Sequence, residues 1–68
     1  MNMVELYVED KTIVQELVDL MKKRGMNPQV SDEDDHVSVT IGSSSKDRLQ
    51  LAVGMATKRF GRDKVSVR

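Results

Sequence analysis

The C-terminal half of the chain carries the pattern of one strand–helix–strand unit, and this pattern limits the folds that are open to it. Residues 36–41 alternate polar and apolar side chains, and a Gly-Ser-Ser-Ser segment then interrupts the alternation. Residues 46–60 place apolar side chains at helical spacing, Gly61 follows, and residues 64–68 alternate again. Because each segment has its own boundary residues, we predict a strand, a helix and a returning strand.

The N-terminal half repeats the same order. Val4, Leu6 and Val8 alternate with polar or exposed residue types, which predicts a first strand with one buried face. The apolar residues between positions 13 and 21 then fall on one stripe of a helix, with Asp10 or Thr12 as its N-terminal cap. Gly25 supplies the left-handed residue that commonly ends a helix.

The segment 26–35 permits two interpretations. Pro28 forbids a continuing helix, and four consecutive acidic residues occupy positions 32–35. We predict a short edge strand around Val30 that turns at the acidic residues into the strand 36–41, because a structureless loop of this length is rare in so small a domain. The alternative is a three-stranded sheet with 26–35 as a loop.

The predicted order is strand, helix, strand, strand, helix, strand within a single domain, residues 1–68. Two right-handed strand–helix–strand units with a hairpin between them give the α+β, ferredoxin-like split βαβ fold (βαββαβ). We therefore expect a four-stranded antiparallel sheet in the spatial order 4-1-3-2, with both helices on one face.

This fold predicts specific core residues and helix ends. We expect Leu6, Leu17, Val39 and Phe60 to share one core, which the valines of the last strand complete. Ser44 with Asp47 has the spacing of a capping box for the second helix. Gly54 lies inside that helix, so either a neighbour packs closely against it or its cost of about 1 kcal/mol is tolerated.

The composition excludes several classes of site. The chain has 68 residues with no cysteine and one histidine, so it has no disulfide and no thiolate ligand for a metal. No apolar run is long enough to span a membrane. We expect a cytoplasmic, non-enzymatic protein without a cofactor, which is a monomer or a weak homodimer and has no membrane partner.

Two polar segments have some features of ligand sites. The Gly42–Ser45 segment precedes a helix, where backbone donors can hold an anion, but it lacks the second glycine of a P-loop. Serines are also ordinary helix caps, so anion binding stays open there. The acidic run lacks the glycine that an EF-hand loop needs at its sixth position, and we interpret the run as a solvated turn.

The charge is unevenly distributed although its sum is zero. Residues 1–45 hold four basic and nine acidic residues, a net charge of −5, and residues 46–68 hold seven basic and two acidic residues, a net charge of +5. Such asymmetry can mark an anionic partner for the basic part. We favour the alternative that the two parts interleave in space and neutralise each other.

The sheet face without helices is the predicted binding surface. In the expected register Tyr7 and His36 are close neighbours there, and Glu5 lies beside Ser38. RNA-recognition domains stack bases on this face, but their aromatic signature is absent and one tyrosine cannot anchor a strand of bases.

We therefore predict a protein-interaction module that uses the open sheet face. A first alternative is weak, non-specific nucleic-acid binding through the basic C-terminal third. A second is a computationally designed protein without a native function, since matched element lengths and minimal loops are typical of designs. The candidate partner-binding residues are Tyr7, His36, Lys58, Arg59, Arg62, Lys64 and Arg68.

Overall fold

The structure is a computed structural model that describes all 68 residues. It contains four strands and two α-helices in the predicted order. The elements are β1 (Asn2–Val8), α1 (Val14–Lys23), β2 (Gln29–Asp32), β3 (Val37–Ser43), α2 (Lys46–Phe60) and β4 (Val65–Val67). The edge strand around Val30 is present as β2, so the three-stranded alternative is wrong.

The four strands form one antiparallel sheet in the order β2-β3-β1-β4. Read from the opposite edge, this is the predicted order 4-1-3-2. The ferredoxin-like arrangement is therefore confirmed. The two longest strands, β1 and β3, lie in the centre, and the short strands form both edges.

The register between β1 and β3 decides which side chains enter the core. Leu6 pairs with Val39 and Val8 pairs with Val37, so the alternate residues of both strands face the helices. The helices close this face with their apolar stripes. The buried core consists of Leu6, Val8, Leu17, Met21, Met26, Val37, Val39, Ile41, Leu49, Ala52, Ala56 and Val65.

The first helix begins at Asp10, one of the two predicted caps. The Asp10 carboxylate accepts a hydrogen bond from the backbone N–H of Thr12 at 3.0 Å and also from its hydroxyl. This cap precedes a 3-10 turn over Lys11–Ile13, which leads directly into α1. At the other end Gly25 has φ of 76°, the left-handed conformation that its lack of a Cβ permits.

The cap of α2 is Ser45, so the prediction of a capping box at Ser44 is wrong. The Ser45 hydroxyl accepts a hydrogen bond from the backbone N–H of Arg48 at 3.3 Å. Three consecutive serines offer the same capping chemistry, and the length of β3 decides among them. Because β3 stays paired as far as Ser43, the cap lies one residue later than the capping-box spacing indicated, while α2 itself spans the predicted residues 46–60.

Two side chains predicted in the core lie at its margin. Phe60 is only partly buried against the core, and Val67 remains 52% exposed because β4 is an edge strand that α2 covers incompletely. Gly54 has open space where a Cβ would stand, with no atom within 4 Å. No neighbour therefore packs closely against Gly54, and α2 tolerates the loss of stability that a glycine causes inside a helix.

We predict that Leu17→Ala destabilises the domain by about 2–5 kcal/mol, because it leaves a cavity in the fully buried core. The matched control is Leu51→Ala, which removes the same atoms from a helical side chain that is 68% exposed. Urea unfolding followed by circular dichroism measures both changes. Equal losses for the two variants would contradict this description of the core.

Candidate functional site on the open sheet face

The face of the sheet that turns away from the helices carries mostly small polar side chains. The strand registers place every second residue of each strand on this face. Around a central tyrosine these residues are Met3, Glu5, Tyr7, Gln29, Ser31, His36, Ser38, Thr40, Ser66 and Arg68. No helix packs on this surface, which is the one predicted from the sequence as the binding face.

Tyr7 and His36 are close neighbours on this face, as predicted, and their rings stack on each other. Their ring centroids are 4.1 Å apart and the ring planes differ by 24°. Tyr7 pairs directly with Ser38, so His36 occupies the diagonal position two residues earlier. Aromatic side chains reach across this diagonal and stabilise a strand pair. The contact therefore follows from the register of two neighbouring strands.

Arg68 completes the group from the other neighbouring strand. Its guanidinium carbon lies 4.1 Å from the centroid of the Tyr7 ring, a cation–π contact. The backbone N–H of Arg68 donates to the carbonyl of Glu5 at 2.9 Å, so the β1–β4 ladder fixes this residue. His36 approaches from the β3 side and Arg68 from the β4 side. We call His36, Tyr7 and Arg68 the diagonal stack.

Polar contacts beneath and beside the diagonal stack hold its surroundings in place. The Ser38 hydroxyl, next to Tyr7 on β3, donates to the Glu5 carboxylate, and Ser38 is only 6% exposed. The predicted proximity of Glu5 and Ser38 is thus confirmed. His36 Nδ1 lies 2.7 Å from the Asp35 carboxylate, which orients the imidazole against the tyrosine ring. These contacts leave little rotamer freedom at the centre of the face.

The hydrogen bond from His36 lowers the pKa of the Asp35 carboxyl below its ordinary value of 3.8. A backbone hydrogen bond of Asp35 and the positive charge of Arg68 act in the same direction, while partial desolvation opposes them. Asp35 therefore stays ionised at the rim of the diagonal stack. The diagonal stack thus carries the positive charge of Arg68 at one end and has the negative charge of Asp35 beside His36 at the other.

The basic C-terminal third and the acidic N-terminal part interleave in space. Arg59 of α2 lies 3.8 Å from Glu16 of α1, and Lys64 lies 3.2 Å from Asp10. Each pair joins a base from residues 46–68 to an acid from residues 1–45. The Lys64 contact also lowers the pKa of Asp10, although the hydrogen bonds from Thr12 are the larger cause. The two parts therefore interleave through two ion pairs, but five of the seven bases form no such pair, so the expected mutual neutralisation is only partial.

The predicted partner-binding residues do not form one surface. Arg68 joins the tyrosine and histidine on the open face, whereas Lys58 and Arg59 project from α2 on the opposite side of the sheet. Arg62 lies in the exposed turn before β4, and Lys64 lies at the end of the sheet beside Asp10. Only one of the five basic residues thus belongs to the site.

The open face holds neither a cluster of metal ligands nor a serine–histidine pair. No group of three or more histidine, cysteine or carboxylate side chains could hold a metal ion. The Ser38 hydroxyl donates to Glu5 and not to His36, so the two do not form a nucleophile–base pair. What the face offers is a fixed aromatic and cationic group among small polar side chains.

Sequence reasoning missed the contact between Arg68 and Tyr7. The alternation of residues 64–68 put Arg68 on the open face, but only the pairing of Tyr7 with Ser66 sets the distance between them. A signal was available, since the predicted strand order already placed the last strand beside the first. The diagonal neighbour of Tyr7 on the β4 side is Arg68, and the rule that predicted His36 on the β3 side would have predicted Arg68 as well.

Comparisons with protein-family models, with curated proteins and with solved structures found no match to this chain. In the structure itself, neither helix has the length and apolar character needed to cross a membrane.

We predict that Tyr7→Leu destabilises the domain by about 1–2 kcal/mol, because it removes an aromatic stack and a cation–π contact while keeping an apolar side chain. Tyr7→Phe is the control, since it retains the ring and both contacts. Urea unfolding of the three proteins provides the measurement. A Tyr7→Leu variant as stable as the wild type would show that the diagonal stack contributes nothing to folding.

We also predict an acid dependence at the edge of the stack. Because folding lowers the pKa of Asp35 below 3.8, the contact with His36 stabilises the fold above the unfolded pKa and is lost as the pH falls through the folded one. Carboxyl-detected NMR titration should show Asp35 returning toward its ordinary pKa in His36→Phe. Asp10 should keep its lowered pKa in that variant, since Thr12 and Lys64 cause it. An unchanged Asp35 titration would contradict the assigned cause.

Proposed function

We propose that this chain is a non-enzymatic protein-interaction module that binds its partner on the open sheet face, centred on the diagonal stack. One observation carries the proposal, namely that the Tyr7 ring is held at 4.1 Å by His36 and at 4.1 Å by Arg68. Tyrosine and arginine are enriched among the residues that dominate binding energy at protein interfaces. Here they are assembled on the face that no helix covers.

The rigidity of the stack favours binding. A partner that contacts flexible side chains must immobilise them, which costs about 0.5–1.5 kcal/mol for each. Tyr7 and its two neighbours are already fixed by stacking and by the strand ladder. The surrounding serine and threonine side chains are short, so a partner backbone can approach closely. Such a face suits an interface with an aromatic centre and a polar rim.

Several features favour a protein over a nucleic acid as the partner. Base stacking needs an uncovered ring face, whereas the Tyr7 ring already has neighbours from both adjacent strands. Two of the five basic candidate residues, Arg59 and Lys64, are engaged with acidic side chains. The formal net charge is zero, so long-range attraction of phosphate is weak. Phosphate contacts through the remaining cations are the competing hypothesis.

The chemistry of the stack indicates what the partner supplies. A guanidinium that lies over an aromatic ring keeps its N–H donors directed outward along its own plane, where they can bind a carboxylate through two hydrogen bonds. The partner should therefore present a carboxylate for Arg68 beside an apolar or aromatic group that packs against the exposed edge of Tyr7. Glutamate or aspartate next to an apolar residue meets this requirement.

A displayed library of random linear peptides tests the proposal. We predict that peptides selected on the wild type contain an acidic residue next to an apolar one and shift the NMR signals of Tyr7, His36 and Ser38. Arg68→Lys, which keeps the charge but loses the fork of donors, should weaken these peptides about 5- to 10-fold, on the order of 1 kcal/mol. Peptides that shift only helix residues, or that bind Tyr7→Leu equally well, would contradict the proposal.

A salt titration with a 20-nucleotide single-stranded RNA tests the competing hypothesis of nucleic-acid binding. Phosphate contacts give an affinity that falls steeply with salt, with a slope of about −0.7 for each contact on a single strand. The proposal predicts no saturable binding of this RNA at physiological salt. Saturable binding with a steep slope that Lys58→Gln and Arg62→Gln reduce would favour the nucleic-acid function instead.

A further inference from the structure

The outer edge of β4 has unpaired backbone groups. The N–H of Arg68 donates inward to Glu5, so alternation along the strand directs the N–H and C=O of Val67 outward. Val65 also points outward, but its N–H is engaged with the carbonyl of Gly61 at 3.0 Å, which leaves only its C=O. This edge therefore offers one donor and two acceptors to an added strand.

The opposite edge of the sheet, on β2, is open in the same way. The N–H of Glu33 donates inward to His36 at 2.9 Å, so Val30 and Asp32 direct their backbone groups outward. Pro28 occupies the next outward position and has no N–H to offer, which confines the pairing to these two residues. The β2 edge is thus a short strand with two free donors.

Each edge also carries one exposed valine on the helix side of the sheet. Val30 is 51% exposed and Val67 is 52% exposed. Beside Val67 a groove of about 630 Å³ runs between α2 and the N-terminal residues Met1–Val4, with Val53 and Leu49 among its lining residues. Gly54 leaves one wall of this groove flat, because it has no side chain there. The groove can receive the valine of a strand that is added to β4.

The two edges have opposite charge. The β2 end carries the acidic run Asp32–Asp35, of which Lys11 neutralises only Asp32 through a contact of 2.9 Å. The segment 62–68, which contains β4, carries Arg62, Lys64 and Arg68 and one acidic residue, Asp63. Two carboxylates of neighbouring elements lie beside it: Asp10, paired with Lys64, and Glu5, opposite Arg68 on β1. The groove itself is lined by Lys46 and by no carboxylate.

We propose that β2 of one copy of this chain adds to β4 of a second copy, so that the sheets continue from molecule to molecule. Both β2 and β1 run antiparallel to β3, and β1 runs antiparallel to β4, so β2 and β4 have opposite directions. A second copy placed alongside in the same orientation therefore forms an antiparallel pair and keeps its helices on the same side. The occupant of the β4 edge is a second copy of this chain.

One register between β2 of one copy and β4 of the next brings the two exposed valines together and also pairs opposite charges. With Val30 opposite Val67, the two residues exchange both backbone hydrogen bonds, and the N–H of Asp32 meets the free C=O of Val65. Counting along the antiparallel strands, Glu33 then stands opposite Lys64 on the open face. Opposite charges in such cross-strand positions stabilise a pair, whereas contact between two β2 edges would bring like charges together.

This contact joins two different surfaces, so it does not close into a symmetric dimer but continues head to tail. Strands of four and three residues bury little area, which places the contact among weak and transient interfaces. The expected behaviour is a reversible rise of average mass with protein concentration. Because the attraction is partly between exposed charges, added salt should reduce it.

Complementary blocked variants test this proposal. Val30→Pro and Val67→Pro each remove one outward N–H and leave the inward ladder of the domain unchanged, so they block one edge apiece. In sedimentation velocity, wild type should associate at roughly millimolar concentration and dissociate about 10-fold more readily in 0.5 M salt. Each variant alone should remain monomeric. Their equimolar mixture should form dimers and nothing larger, because each supplies the edge that the other lacks.

Three results would overturn the proposal. The first is a wild type that stays monomeric at these concentrations. The second is a mixture that stays monomeric while wild type associates, which indicates a contact that needs both edges on each copy. The third is variants that associate like wild type. Proton–nitrogen NMR spectra verify that the variants fold. A proline variant that does not fold is replaced by Val30→Lys or by Val67→Glu, which each place a like charge at one edge, and the other proline variant is kept.

Discussion

The antiparallel pairing of β1 with β3 is the interaction on which the rest of the structure depends. Its seven residue pairs place Leu6 beside Val39 on one face and Tyr7 beside Ser38 on the other. A shift of one residue would exchange the two faces and expose the whole apolar set. The core and the candidate site are therefore consequences of the same register, and neither can change without the other.

This register also explains how a small polar face acquires an ordered centre. The central strand β1 has a neighbour on each side, so a single aromatic residue at Tyr7 can contact a diagonal residue from both. His36 immediately precedes β3 and Arg68 immediately follows β4, at the ends where strands leave the sheet. Two residues of the proposed binding surface thus lie at strand ends, and none of its three residues is taken from the core.

The sequence predicted more of the fold than of the surface. Alternation and helical spacing set the element order, because burial of apolar residues determines both. The same patterns predicted the wrong cap for α2, because the position of the cap depends on where β3 ends. They also predicted Val67 in the core, although its burial depends on how far α2 covers the edge strand. The contact of Arg68 with Tyr7 was not predicted, because it depends on the register between β1 and β4, which local sequence patterns do not determine.

The register and the diagonal stack are tested most directly by nuclear Overhauser contacts from the protons of the Tyr7 ring. Ring centroids 4.1 Å apart predict strong contacts between Tyr7 and His36 ring protons, and the Arg68 side chain should show upfield shifts from the ring current. Both signals should disappear on unfolding. Contacts from the Tyr7 ring to the buried side chains of Leu17 or Ile41 would instead place it on the helix face and contradict the register, the diagonal stack and the proposed binding surface together.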